Sequence, residues 1–242
     1  MIKCLKAIYQ RQMFFPSGLG IFINPFYFAR SGLRDAMKEF APVLSGRVLD
    51  VGCGRKPYRE MFLTNEYIGL EINTPKNRAN KQADFFYDGN SFPFADIQFD
   101  GVVCNQVLEH VFTPDQFLSE THRVLRSEGL LLLTVPFVWD EHEQPWDYAR
   151  YSSFGLKSLL EKNGFEVLQQ RKINADVRVL FQLVNAYLYK ALWTKWSMVN
   201  LLICGIAMAP FNILGMLLYR VLPANPDLYL DQVVLARKVE ND

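Results

Sequence analysis

The chain has 242 residues with a formal net charge of +1, and half of its residues are hydrophobic, 14% of them all being aromatic. That length buries one sizeable core with room for an appendage, and the near-neutral charge offers no long-range field for a polyanion, so no nucleic-acid partner is expected. The scattered cysteines (Cys4, Cys53, Cys104, Cys204) suggest neither a zinc site nor a disulfide framework and fit a reducing compartment. The histidines (His110, His122, His142) are too far apart for local metal-ligand spacing, so no metal is expected.

Residues 1–45 begin with Lys3, Lys6 and Arg11 and then run uncharged from Phe14 to Ala29. Pro16, Gly18, Gly20 and Pro25 break that run and no small-residue cleavage site follows, which argues against a secretion signal and for an N-terminal helical cap. Arg34 to Phe40 reads as a helix leading to Pro42.

The core, residues 46–176, opens with Val48-Leu49-Asp50-Val51-Gly52-Cys53-Gly54. Its apolar, β-branched part reads as a buried parallel strand, and its glycines allow backbone to approach a ligand closely. About 20 residues on, a second strand, Tyr67 to Leu70, ends in Glu71, where a carboxylate can accept from the two hydroxyls of a ribose. A dinucleotide loop requires a third glycine, but Pro57 stands there, and Asp50 would repel a pyrophosphate. A cationic nucleoside suits Asp50 better, and S-adenosylmethionine carries a sulfonium and an ammonium group.

Strands and helices then alternate. The pattern predicts a short helix over 58–63, strands over 83–87 and 101–104, and a helix capped by Thr113 with Pro114 at its first position and Gln116 closing a capping box. A strand over 130–135, a helix capped by Ser152 or Ser153 and closed by Asn163-Gly164, and a strand over 165–172 follow. The loop after the fifth strand is dense in groups that stack on sugars (Trp139, Trp146, Tyr148) and in acid–base groups (Glu141, His142, Glu143). His142 and Glu143 are the candidate catalytic residues, because imidazole titrates near neutral pH and Glu143 is the next base to hand. Trp146, Tyr148 and Arg150 are the candidate substrate residues, Arg150 for a phosphate or carboxylate.

Residues 177–222 break the alternation, with no charge between Lys195 and Arg220, and residues 223–242 return as a last strand over 232–238. Aromatic and cationic residues flank the uncharged run (Tyr187, Tyr189, Lys190, Trp193, Trp196, Tyr219) where an interfacial belt would sit.

Four ordered segments resemble class I S-adenosylmethionine-dependent methyltransferases: LDVGCG at 49–54, YIGLEI at 67–72, DGNSFPFADIQFDGVVCNQVLEHV at 88–111 and RVLRSEGLLLLTVPF at 123–137. The resemblance implies an α/β fold, a doubly wound, mostly parallel seven-stranded Rossmann-like sheet with an antiparallel last strand and a hydrophobic helical insert before it. It implies cofactor contacts from Asp50, Gly52, Gly54 and Glu71, from Asp88 and Gly89 at the adenine, and from Asn105 and Gln106 at the methionine end. Tyr27 and Arg30 would belong to a lid, and Glu109 and His110 to a packing segment. An antiparallel last strand puts both ends of residues 177–222 on one side of any membrane, so the expectation is a hairpin that lies on a bilayer or packs on its own domain or in a homodimer. Within the family the chain resembles a bacterial branch associated with surface polysaccharides. The expected activity is methylation of a hydroxyl on a glycan or lipid-linked saccharide by a cytoplasmic protein peripheral to the inner membrane. A quinone or lipid acceptor, or a non-catalytic scaffold on a membrane, are the alternatives.

Overall fold

The computed structural model describes residues 2–80 and 82–240. The strands are β1 (Arg47–Val51), β2 (Glu66–Ile72), β3 (Phe85–Tyr87), β4 (Phe99–Asn105), β5 (Leu125–Pro136), β6 (Phe165–Ile173) and β7 (Asp231–Lys238). They form one sheet in the order β3-β2-β1-β4-β5-β7-β6, parallel through β5 with antiparallel pairing at the end. Val48, Leu49, Val51, Val102, Cys104 and Leu131 to Leu133 are buried, as a parallel sheet covered on both faces demands. Strand order reverses between β1 and β4, the kind of switch point beyond whose strand carboxyl ends open α/β sheets bind ligands.

The helices are α1 (Ile2–Phe14), α2 (Gly20–Ile23), α3 (Tyr27–Phe40), α4 (Pro75–Asn80), α5 (Pro114–Val124), α6 (Ser153–Lys162), α7 (Arg178–Leu192), α8 (Ser197–Ile203) and α9 (Ala209–Leu218). Helix α5 buries Phe117, Leu118, Thr121 and Val124, an i, i+1, i+4, i+7 face, against the sheet core. The Ser152 hydroxyl caps α6 by accepting from the Gly155 N–H, and Gly164 closes it at φ 79°. Two expectations differ. Only a single 3₁₀ turn, Arg59–Met61, forms in the 58–63 segment, behind Pro57 and a left-handed Lys56. Thr113 does not cap the α5 backbone; its hydroxyl donates instead to the Gln116 side-chain oxygen at 3.3 Å.

The chain folds as two compact units. The larger holds Met37–Phe137, Glu141–Arg171 and the chain from Gln232 onward, and so most of the sheet. The smaller gathers the chain up to Ala36, Val138–Asp140 and Lys172–Asp231. The N-terminal segment and the 177–222 insert are therefore one helical unit rather than two separate appendages, and Tyr27, Arg30 and Trp139 lie within it.

Amides hold this helical unit together. The Gln182 side-chain oxygen accepts from the N–H groups of Phe28 (3.0 Å) and Ala29 (3.2 Å), two donors that the start of α3 cannot satisfy internally. Its amide nitrogen donates to the Pro25 carbonyl at 3.0 Å. Asn185 donates to Asn212 (2.9 Å), which donates to the Ile21 carbonyl (2.8 Å). Gly215 lies where a Cβ would meet the Phe28 ring at 2.8 Å, so α9 can approach the N-terminal segment only because that position has no side chain. Between α8 and α9 the turn Cys204–Met208 is a π-helix, which accommodates Pro210, a residue without an N–H, in an otherwise continuous helix.

Gln182→Ala would leave two buried donors and one acceptor without partners, each worth about 1–3 kcal/mol. Urea unfolding should show a loss of at least about 2 kcal/mol, and a change below about 0.5 kcal/mol would remove Gln182 as the joint of this unit.

Candidate active site

The larger unit carries every candidate site residue. After β1 the Gly52 N–H donates to the Leu70 carbonyl at 2.9 Å, which turns the chain across the end of β2. Gly52 sits at φ 69°, and a Cβ there would lie 2.3 Å from a Val107 methyl, so conformation and space both require glycine. Gly54 sits at φ 51° with nothing within 4 Å of an added Cβ, an open approach to backbone.

Around this turn stand the carboxylates. Asp50 is buried and accepts from the Tyr67 hydroxyl at 2.8 Å. Burial pushes its acid up to about 7, with the Tyr67 hydrogen bond and the Lys56 charge opposing only in part. Glu71 ends β2, its carboxylate accepting from the N–H of Gly54 (3.0 Å), the N–H of Ile72 (3.0 Å) and the Asn77 amide (3.2 Å). One small cavity is lined by Asp50, Gly52, Cys53, Tyr67 and Asn105. The Asn105 oxygen accepts from the Thr134 hydroxyl at 2.7 Å, and the Gln106 N–H donates to the Thr134 carbonyl at 3.0 Å, so β5 anchors both. Asp88 and Gly89 follow β3, one register step beyond the Ile72–Tyr87 pair; Asp88 accepts from the N–H groups of Asn90 and Ser91, which hold its acid below the usual range. The eight cofactor candidates thus occupy the carboxyl ends of four adjacent strands, with Asp50, Gly52 and Asn105 sharing one cavity.

The loop after β5 docks on the segment after β4. The N–H groups of Tyr148 (2.8 Å) and Ala149 (3.2 Å) donate to the Glu109 carbonyl, and His110 Nδ1 lies 2.6 Å from the Trp146 carbonyl. The His110 and His142 rings meet edge to face, their centroids 4.8 Å apart. Asp147 anchors His142: its Oδ2 accepts from the His142 backbone N–H at 2.9 Å and lies 3.3 Å from Nδ1. Burial alone would raise the Asp147 acid, but the Arg150 guanidinium and the His142 N–H outweigh it and hold it at about 2. Arg150 donates to Asp147 in two hydrogen bonds of 2.6 and 2.7 Å, which tie it into the loop. Glu143, at φ 48°, is exposed and 3.6 Å from Lys76. Trp146 (61% exposed) and Tyr148 (42%) open to solvent, and Tyr148 meets Phe112 edge to face with centroids 5.2 Å apart.

Sequence reasoning missed Asp147 and Phe112, and it placed Glu109 and His110 among packing residues. An Asp three positions before an Arg was the one local signal for Asp147.

A family model described as a methyltransferase domain matches residues 26–170. The chain belongs to that family. A probable S-adenosylmethionine-dependent methyltransferase of Mycolicibacterium smegmatis is 32% identical over 133 residues, covering 50% of this chain and 52% of the relative. A fatty-acid O-methyltransferase of the same organism is 32% identical over 149 residues, covering 57% of this chain and 50% of the relative. The matched part thus spans about half the length of each. The crystal structure of a cyclase superposes with a TM-score of 0.56 at 21% identity, covering 86% of this chain and 80% of its own, which shows the shared fold alone.

S-adenosylmethionine is the cofactor. The residues fit it: a buried carboxylate that burial keeps near neutrality, a glycine turn open at Gly54 and a carboxylate at the end of β2. Asp50 holds a proton in the folded protein that an unfolded chain releases above its ordinary value of 3.8, so its contribution to stability is present below that pH and lost as pH rises through about 7. A cationic ligand favours the ionised form and reverses that preference. Calorimetry should therefore show affinity for S-adenosylmethionine weakening as pH falls below 7, by up to about tenfold per unit. Asp50→Asn should flatten that dependence, and an unaltered slope in the variant would take Asp50 out of the cofactor site.

Proposed function

We propose that this protein is an O-methyltransferase that methylates a hydroxyl of a glycan or lipid-linked saccharide, working at the cytoplasmic face of the inner membrane. The observation that carries the reading is the convergence at one sheet edge of exposed aromatics (Trp146, Tyr148, Phe112) with the His142–Asp147 pair, beside the cofactor residues. Aromatic faces take the apolar faces of sugar rings, and a hydroxyl acceptor needs a group to receive its proton. S-adenosylmethionine, when bound, supplies a methyl group already on a good leaving group, so positioning carries most of the acceleration. Trp146 and Tyr148 would seat the acceptor. His142, oriented by Asp147, would receive the proton, with Glu143 next to it in the chain.

The membrane part of the reading rests on an inverted helix. Asn200, Cys204, Asn212 and Gly215 face inward in α8 and α9, while Met198, Leu202, Ile206 and Leu217 are 74%, 60%, 74% and 56% exposed. Ser197–Leu218 is long and apolar enough to cross a bilayer, yet only 28% of its most apolar window is buried. A lipid surface would take that outward face, and Lys190, Lys195 and Arg220 flank it to meet headgroups.

A second reading, a lipid acceptor, is favoured by the relative named a fatty-acid O-methyltransferase. The two separate cleanly, because a carboxylate acceptor is already ionised at neutral pH and needs no base.

With labelled methyl donor and membrane extracts, label should appear in saccharide-containing lipids. His142→Ala should lower that turnover by roughly 10²–10⁴ with cofactor affinity unchanged. Label confined to free fatty acids, at a rate indifferent to His142→Ala, would replace the first reading by the second. The protein should also sediment with vesicles and need detergent rather than salt for release; a monomer that stays in solution with vesicles present would overturn the membrane part.

A further inference from the structure

Glu109, His110 and His142 each offer one donor atom, and the carboxylate oxygen and the two imidazole nitrogens lie within 4.8 Å of one another. Sequence spacing gave no hint of this, since Glu109 and His110 follow β4 and His142 follows β5. The backbone bonds from Tyr148 and Ala149 to the Glu109 carbonyl bring the two segments together.

The second nitrogen of each ring has a partner of a telling kind. His110 Nδ1 faces the Trp146 carbonyl at 2.6 Å. A carbonyl only accepts, so the proton sits on Nδ1 and Nε2 keeps its lone pair. His142 Nδ1 lies 3.3 Å from the Asp147 carboxylate, with the Arg150 guanidinium farther off at 3.5 Å. The nearer carboxylate, a strong acceptor, again favours the proton on Nδ1. A backbone carbonyl behind one imidazole and a carboxylate behind the other are the outer partners that orient metal-binding histidines. Glu109 is fully buried, whereas the side chains of His110 and His142 are 22% and 30% exposed, so an ion held here would keep an open side toward solvent.

We propose that Glu109, His110 and His142 form a binding site for a divalent transition-metal ion. Two imidazoles and one carboxylate favour zinc, manganese or iron over magnesium or calcium, which prefer all-oxygen cages. Three protein ligands and an open position make a site built for chemistry rather than a closed structural one. Bonds of about 2.0–2.2 Å bring donor atoms to roughly 3.5 Å apart, so binding tightens the cluster by about 1 Å. The ion's place in the reaction rests on the O-methyl reading, whereas its binding does not. A hydroxyl brought to the open position loses its proton to water at lower pH, as metal-bound hydroxylic ligands do, and its oxygen becomes the nucleophile. His142 then holds the ion, and it acts as proton acceptor only in the ion-free protein.

The test uses the full chain, stripped with chelator and titrated calorimetrically with zinc and with manganese chloride, with metal content measured after dialysis. One equivalent of at least one of these ions should bind. His142→Ala and His110→Ala, checked for folding by circular dichroism, should each weaken that binding at least tenfold. His122→Ala, outside the cluster, should leave it unchanged. Cobalt loading should give a visible absorption band that His142→Ala removes. This readout involves no acceptor, so an error in the O-methyl reading leaves it intact. Absence of stoichiometric binding in the wild-type protein, or binding that survives both cluster variants, would overturn the site.

Discussion

Gly52 cannot carry a side chain, and much of the larger unit depends on that. Its left-handed backbone turns the chain leaving β1, and its missing Cβ leaves room for Val107, whose methyl would otherwise be overlapped at 2.3 Å. Val107 is the first residue after Gln106, so one contact fixes the cofactor turn against the segment that presents Asn105, Gln106, Glu109 and His110. That segment then positions the loop after β5 through the Glu109 carbonyl and the Trp146 carbonyl. A close approach of backbone to side chain at the switch point therefore propagates outward to the edge where an acceptor would enter.

The elements that could be read from sequence are those whose signal is local. Strands β1, β4 and β5 each carry a buried apolar stretch because both faces are covered there, and α6 announces itself by its capping serine and closing glycine. The turn after β1 was legible for the same reason, since a strand, two glycines and an acidic strand end lie within one short stretch. The acceptor edge was only partly legible. His142 stood out, but its meeting with His110 depends on loop docking that no local pattern encodes. The charge of Arg150 was visible in the sequence, whereas its bidentate partner Asp147 was not.

The helical unit departs from the usual distribution of residues in a different way. Local reasoning treats Asn and Gln as outward-facing and Leu and Ile as inward-facing. Here Gln182, Asn185 and Asn212 are buried and hydrogen-bonded, Gln182 to backbone and Asn185 to Asn212, while Leu202, Ile206 and Leu217 face out. Apolar periodicity can mark such helices, but it would put the wrong face toward the core. The amides do what apolar contacts do elsewhere, and because each bond has a single geometry, they specify which helix meets which segment. Such an arrangement is economical only where the outward apolar surface finds another apolar phase, so the inverted polarity and the lipid reading are one argument.

Two aspartates in the larger unit have little-exposed side chains, yet one is pushed up to about 7 and the other held at about 2. Asp50 is the more deeply desolvated, and the two differ also in the cation. Asp147 has the Arg150 guanidinium bonded to both of its oxygens, so its charge is compensated within the fold and its task is to orient. Asp50 has a tyrosine hydroxyl and only a distant contribution from Lys56, whose ammonium is paired with Asp84. A buried carboxylate without a resident counter-charge is costly for a fold to keep, unless a cation arrives as part of function. The sulfonium and ammonium groups of S-adenosylmethionine are such cations. Identical side chains thus differ in whether the fold itself supplies a bonded positive charge.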